Sequence, residues 1–285
     1  MDFYIIIPAY NEEDHIGETL SSLTNQSYPP KRIVVVNDGS TDNTQNIVNE
    51  YANRHAYISS VQRNSKGEHE PGGKIVAAFN EGLATLDSEY DVICKFDADL
   101  IFPSNYLERL VESFSRNPNC GIAGGVCTIE KKGNWVVEGL TGKLHLRGAL
   151  KAYRKKCFED IGGLVTAMGW DTIDEFLALF RGWSVQVDDN LHVKHLKPTG
   201  KVYTPATKYL AGQSLYRQRF GLLLTILDSL KLAIRKRSFS FFLNSMKGYH
   251  KAKKNNMSRL VSEEEGKFIR SLRWRSIRKK LIGQN

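Results

Sequence analysis

Two aspartates separated by one residue, Asp97 and Asp99 in VICKFDADL, close an apolar run and form the sharpest chemical signal in this chain. Hard divalent cations such as Mg2+ and Mn2+ take oxygen ligands, commonly one or two protein carboxylates together with substrate phosphates. The pair therefore points to a metal and phosphate site, although the same two acids alone also read as a solvated turn. A second acidic cluster, Asp171, Asp174 and Glu175 in GWDTIDEF, supplies carboxylates competent to take a proton from a hydroxyl at neutral pH if one lies within hydrogen-bond reach.

These groups need a frame. Short β-rich runs at 3–8, 32–37, 57–62 and 91–96 alternate with segments of helical length. Such alternation predicts an α/β fold with a mixed, mostly parallel sheet flanked by helices, whose ligands sit beyond the carboxyl ends of the strands. The loops there read AYNEEDH, DGSTDNT, NSKGEHEPGGK and DADL. Each opens a predicted helix: Asp42 or Asn43 caps one, Gly72 and Gly73 precede another, and Pro103 takes a first-turn position in a third. Helix N-termini converging on one cleft favour an anion such as a diphosphate. Beyond residue 120 the alternation loosens, with apolar runs at 121–127 and 184–187 and a helical pattern at 176–180.

The chain is expected to divide into a catalytic domain, residues 1–207, and a basic helical extension, residues 208–285. Of the +9 net charge, residues 208–285 carry 19 Lys and Arg against 4 Asp and Glu, which leaves residues 1–207 net acidic. Within the extension, Leu222, Leu223, Ile226, Leu227, Leu230 and Ile234 fall on one helical stripe, and Asp228 and Lys231 inside this short segment argue against a bilayer span. Two readings stay open: helices packed with a solvated basic face, or a peripheral contact with an anionic membrane surface. A specific nucleic-acid partner is not expected, because no recognised module accompanies the charge.

With 41% hydrophobic and 25% charged residues, neither a disordered chain nor a multi-span membrane protein is indicated. Cys94, Cys120, Cys127 and Cys157 form no CxxC pair, which suits a reducing cytosol. The N-terminus MDFYIIIPAYNEE has no basic leader and reads as a first strand. A cytoplasmic location, peripheral at the cytoplasmic face of the inner or plasma membrane, is the expectation.

Taken in order, IIIPAYNEE (5–13), VVNDGSTDNT (35–44), GGKIVAAFNEG (72–82), KFDADL (95–100) and GWDTIDEFLALFRGW (169–183) resemble a family 2 glycosyltransferase of the GT-A fold, over about residues 3 to 200. The resemblance implies an inverting transferase using a nucleotide-diphosphate sugar, with a UDP-sugar favoured, a glycan or lipid-linked acceptor, and Mn2+ or Mg2+ as cofactor. On this sequence it implies that Pro8, Ala9, Tyr10 and Glu12 line the base and ribose pocket, that Asp38 accepts from the base, and that Lys74 lies near the nucleotide. It further implies that Asp99 binds the metal while Asp97 reaches the ribose or the metal's water shell. A third ligand is expected downstream, where NLHVKHLKPTG offers His195, preferred for its position before LKPTG, or His192.

In the family the catalytic base follows a glutamate before a helix. Here Ile173 stands at the Glu position and Asp174 is taken as the base, with Asp171 and Glu175 as rivals. Gly162 and Gly163 resemble a turn shaping the acceptor side, and Trp170 reads either as a stacking platform or as a core residue. Processive members carry QxxRW and flanking membrane helices, whereas YRQRFG (216–221) departs from that pattern and favours addition of one sugar. The competing readings are an inactive sugar- or membrane-binding module and a sugar nucleotidyltransferase.

Overall fold

The apolar run after Met1 forms β1 (Phe3–Ala9), in which Phe3, Tyr4, Ile5, Ile6 and Ile7 are all fully buried. A strand apolar on both faces belongs inside a parallel sheet covered on either side, and each such side chain contributes about 1.5–3 kcal/mol by leaving water. The chain then runs through α1 (Ile16–Thr24), β2 (Arg32–Asn37), α2 (Thr44–Arg54), β3 (Ile58–Gln62), α3 (Gly73–Leu83), β4 (Val92–Phe96) and β5 (Leu100–Ile101). It continues with α4 (Tyr106–Arg116), β6 (Cys120–Lys131), β7 (Asn134–Val137), β8 (Leu150–Arg154), α5 (Lys155–Asp160), α6 (Trp170–Phe180) and β9 (Ser184–His195). Four helices follow: α7 (Leu210–Arg217), α8 (Leu222–Arg235), α9 (Phe239–Lys254) and α10 (Glu263–Leu281). This computed structural model describes residues 1–63, 72–138, 145–197 and 208–282.

The sheet order is β3-β2-β1-β4-β8-β6-β9-β5, with β7 paired to β6. The β3-β2-β1-β4 half is parallel, β8 joins antiparallel to β4, and β6 and β9 run parallel to each other. Helix α3 lies close on this sheet because Gly82 has no side chain: a Cβ there would stand 2.7 Å from Val36 Cγ2 and 2.8 Å from Ile6 Cγ2. The expected helix at Pro103 begins later, at Tyr106, because the Pro103 carbonyl accepts the Tyr106 N–H at 3.0 Å and closes a turn ahead of it.

The chain forms two compact units: Met1–Thr166 with Trp170–Thr199, and Ala167–Gly169 with Gly200–Asn285. In the second, α7 and α9 approach to backbone contact at two glycines. A Cβ on Gly212 would fall 1.7 Å from the Ser245 carbonyl oxygen, and one on Gly248 would fall 2.1 Å from that of Tyr209. Helix α10 starts at a reciprocal cap in which Ser262 and Glu265 each bond the other's backbone N–H. No helix among the described residues is long and apolar enough to cross a membrane.

Candidate active site

The loops after β1 and β2 are tied together at the carboxyl edge of the sheet. Asp38 N–H donates to the Ala9 carbonyl at 2.8 Å, Asn11 N–H to Ser40 Oγ at 3.0 Å, and Thr41 N–H to Asn11 Oδ1 at 2.8 Å. Asn11 adopts φ 52°, a left-handed conformation that Asn tolerates better than most residues. Pro8 and Ala9 end β1 at this junction, and the Tyr10 ring beyond them is 59% exposed, free to present a flat apolar wall. Asp38 is buried and pairs with Arg63 Nη1 at 2.8 Å; Arg63 Nε in turn meets Glu81 at 3.0 Å. Arg63 carried no signal in the sequence beyond its place one residue after β3.

Glu12 sits in the same region, its backbone N–H on Thr44 Oγ1 at 2.8 Å and its carboxylate on Lys197 Nζ at 2.6 Å. Burial raises its carboxyl above the ordinary value, with Asp99 adding to the rise and Lys197 opposing it. Lys74 is half-buried in the first turn of α3. Most of the loop expected to precede it, residues 64–71, lies outside the described residues.

Strand pairing brings Asp99 and His195 together. The two-residue β5 pairs antiparallel with the end of β9, setting Leu100 opposite His195, and the Leu196 N–H donates to the Asp99 carbonyl at 2.9 Å. Asp99 Oδ2 and His195 Nε2 are 3.4 Å apart, and His195 Nδ1 is 3.2 Å from Glu138 Oε2, which Arg147 Nη2 approaches at 3.3 Å. All three of Asp99, Glu138 and His195 are buried. Burial would lower the His195 pKa, but Asp99 and Glu138 outweigh it and raise the imidazole to about 9.

Cys127, Glu138 and His195 also offer ligand atoms within 4.8 Å of one another. The donor set of a carboxylate and an imidazole, with a second carboxylate behind the ring to fix its orientation, fits a divalent cation. Glu138 was invisible in the sequence, standing in NWVVEG without a motif. His192, the alternative ligand, is turned away: its Nε2 lies 3.0 Å from the Asp189 carbonyl, beside a groove lined by Pro103, Asn105 and Arg109. Asp97 is bound by the buried Lys95, two residues before it on β4, and its N–H donates to the Ala149 carbonyl at 2.8 Å.

Helix α6 delivers the acidic cluster, whose three carboxylates differ in burial and in partners. Asp174 is 2% exposed, with Lys151 Nζ at 2.8 and 2.9 Å from its two oxygens and the Tyr153 hydroxyl donating to Oδ2. Burial pushes this carboxyl above its usual value, and Lys151 opposes the rise. Asp174 is therefore a buried, saturated group in the middle of α6, placed to hold the helix on β8. Asp171, one turn nearer the N-terminus, keeps a side chain that is 36% exposed. Burial acts to raise its carboxyl, but His145 and Lys151 hold it below the ordinary range.

Lys151 also meets Glu175 at 3.0 Å and stands cross-strand from Lys95. Burial opposes its charge, and the three acids overcome it, so its pKa is raised. Trp170 is buried with Lys95 Nζ 5.3 Å and Lys151 Nζ 5.9 Å from its ring, which makes it a core residue stacked against two cations.

His145 was not anticipated. Its Nδ1 lies 3.0 Å from Glu175 and its Nε2 3.8 Å from Asp171, and these acids raise it to about 9 against the opposing effect of burial. A histidine whose folded pKa exceeds its unfolded value of about 6.5 contributes stability that is complete below pH 6.5 and lost as pH rises through 9. Urea denaturation of wild type and His145→Gln at pH 6 and above 9 should show the wild type losing on the order of 2–3 kcal/mol more than the variant. Equal losses would mean that His145 is neutral in the folded protein.

The model of the Glycosyl transferase family 2 matches residues 4–168, more than half of the chain. A poly-beta-1,6-N-acetyl-D-glucosamine synthase of Staphylococcus epidermidis is 27% identical over 204 residues, which cover 65% of this chain and 45% of that protein. The probable glycosyltransferase YdaM of Bacillus subtilis is 43% identical over 97 residues, 33% of this chain and 22% of its own length. The chain thus spans less than half the length of these relatives.

Among solved structures, S. aureus TarS with UDP superposes with a TM-score of 0.55 at 19% identity, over 75% of this chain and 66% of that one. The mannosyltransferase PcManGT of Pyrobaculum calidifontis, with GDP-Man and Mn2+, gives 0.56 at 16% identity, over 96% and 80%. These likenesses establish the GT-A fold. By the extent of the family match and the fold that carries it, the chain belongs to glycosyltransferase family 2.

Proposed function

We propose that this glycosyltransferase moves a single sugar from a nucleotide-diphosphate donor, a UDP-sugar by preference, to a hydroxyl of a glycan or lipid-linked acceptor, with inversion at the anomeric carbon. The observation that carries the reading is the buried contact between Asp99 and His195, which sets an oxygen donor and a nitrogen donor side by side just beyond the carboxyl end of β4. Asp99 and His195 would hold the cation, oriented by Glu138; the imidazole donor favours Mn2+ over Mg2+. When bound, the cation supplies neutralisation of the charge that builds on the departing diphosphate.

The remaining work falls to this chain's own groups. Tyr10 offers its face to the base, Asp38 stands fixed by Arg63 to accept a base N–H, and Glu12, Lys74 and Asp97 border the ribose and phosphates. Asp171 would take the proton of the attacking hydroxyl, in place of the Asp174 expected from sequence, because a base must reach substrate and Asp174 is sealed beneath Lys151 and Tyr153. Its carboxyl, held below the usual range, is charged at neutral pH and free of a proton, although a weaker base than an unperturbed aspartate, and His145 lies 3.8 Å from it. Transfer of one sugar rests on YRQRFG standing where a processive enzyme would carry QxxRW.

The test is a thermal-shift screen of UDP, GDP, dTDP and their sugar conjugates, with and without Mn2+. A native-state ligand raises stability by about 2.7 kcal/mol at a hundred times its Kd. One nucleotide stabilising the protein only with Mn2+ is the expected result. Silence with all of them points to an inactive module, and pyrophosphate release from a nucleoside triphosphate and a sugar phosphate points to a nucleotidyltransferase.

A further inference from the structure

Helix α8 is packed with its apolar side outward. Its buried residues are Leu224, Thr225, Ser229 and Ala233, and Ser229 Oγ meets Ser245 Oγ of α9 at 2.7 Å. Leu223, Leu227, Leu230 and Ile234, which share an arc of about 60° on the helix, are instead 58, 37, 41 and 70% exposed. The usual amphipathic helix does the reverse, turning its leucines to the core and its small polar residues to water.

The turn that follows adds to the same feature. Arg235, Lys236 and Arg237 are exposed, and Phe239 at the start of α9 is 66% exposed, so Ile234 and Phe239 bracket three cations. Lys231 and Arg235 lie along one side of the leucine arc. A contiguous apolar strip rimmed by charge marks a surface that leaves water when it meets its partner.

Charge decides which partner. Between residues 222 and 254 there are eight Lys and Arg and one acid, Asp228, and Arg273 Nη2 binds that acid at 2.5 Å. A second copy docked through the same face would set like charges against each other. An anionic bilayer offers both acyl chains for the strip and phosphates for the rim.

We propose that α8 and the start of α9 form a membrane-docking surface, with Leu223, Leu227, Leu230, Ile234 and Phe239 seated at the headgroup boundary of an anionic bilayer and Lys231, Arg235, Lys236 and Arg237 against lipid phosphates. This surface is independent of the transfer chemistry proposed above. The full chain should float with vesicles of equimolar phosphatidylcholine and phosphatidylglycerol, and stay behind with phosphatidylcholine alone. The double variant Ile234→Glu with Phe239→Glu should bind at least about tenfold more weakly. The triple variant Arg235→Glu, Lys236→Glu and Arg237→Glu should lose on the order of 100-fold or more.

These side chains are exposed, with Phe239 against the Phe242 ring and Lys236 over the Phe241 ring, so thermal melts should change little; if a glutamate variant melts early, Ile234→Ser with Phe239→Ser takes its place. Three results overturn the proposal. They are wild type that ignores anionic vesicles at low salt, an Ile234 and Phe239 variant that floats like wild type, and a dimer by light scattering that this variant dissociates.

Discussion

Asp99→Ala is expected to abolish Mn2+-dependent nucleotide binding and to lower turnover by about 10^3-fold, since a cation stabilising a leaving diphosphate is worth several kcal/mol. The reason lies in how little else is available. Asp97 is engaged by Lys95, Glu138 is engaged by His195 and Arg147, and Asp99 is the carboxylate that faces His195 Nε2. Without it the imidazole stays beside Glu138 alone, and a histidine raised to about 9 by two acids becomes easier to deprotonate with one. Mn2+ titration followed by electron paramagnetic resonance, with and without UDP, measures the loss directly. Retention of tight, nucleotide-dependent Mn2+ binding in Asp99→Ala would remove this aspartate from the metal site.

The second large effect separates two acids one helical turn apart. Asp171→Asn should lower kcat by about 10^2 to 10^4-fold, the range expected of a lost general base, while donor affinity is unaltered. Asp174→Asn should act on stability first, costing about 3 kcal/mol, because it leaves the fully buried Lys151 ammonium short of its nearest countercharge. Urea melts and single-turnover kinetics on both variants distinguish them. An Asp174→Asn protein of normal stability without activity, beside an active Asp171→Asn protein, would return the role of base to Asp174.

The sequence was sufficient for the parallel β3-β2-β1-β4 half of the sheet and its loops, and the reason is physical. Parallel strands buried on both faces must be continuous apolar runs, so 3–8, 32–37 and 91–96 were readable almost to the residue, and β1, β2 and β4 lie there. Local chemistry likewise exposed Asp99 at a strand end and the polar loops beside it. The helical stripe of leucines at 222–234 was also legible as a stripe. Periodicity reports which residues share a face, however, and not which way that face points; only the packing of Thr225, Ser229 and Ala233 shows the leucines turned outward.

The same limit governs the site. The pairing of β5 with β9 that joins Asp99 to His195, the ion pair of Arg63 with Asp38, and the placement of Glu138 behind His195 are contacts between segments far apart in the chain. No local pattern encodes them. The choice between Asp171 and Asp174 could not be made from GWDTIDEF because both are acids on one short helix. We place the base at Asp171 because Asp174 lies over β8, bound by Lys151 and Tyr153, while Asp171 keeps a face to solvent. Residue type and spacing determined the kind of chemistry and its frame, whereas burial and long-range pairing, which exist only once the chain is folded, decided which atoms are left to perform it.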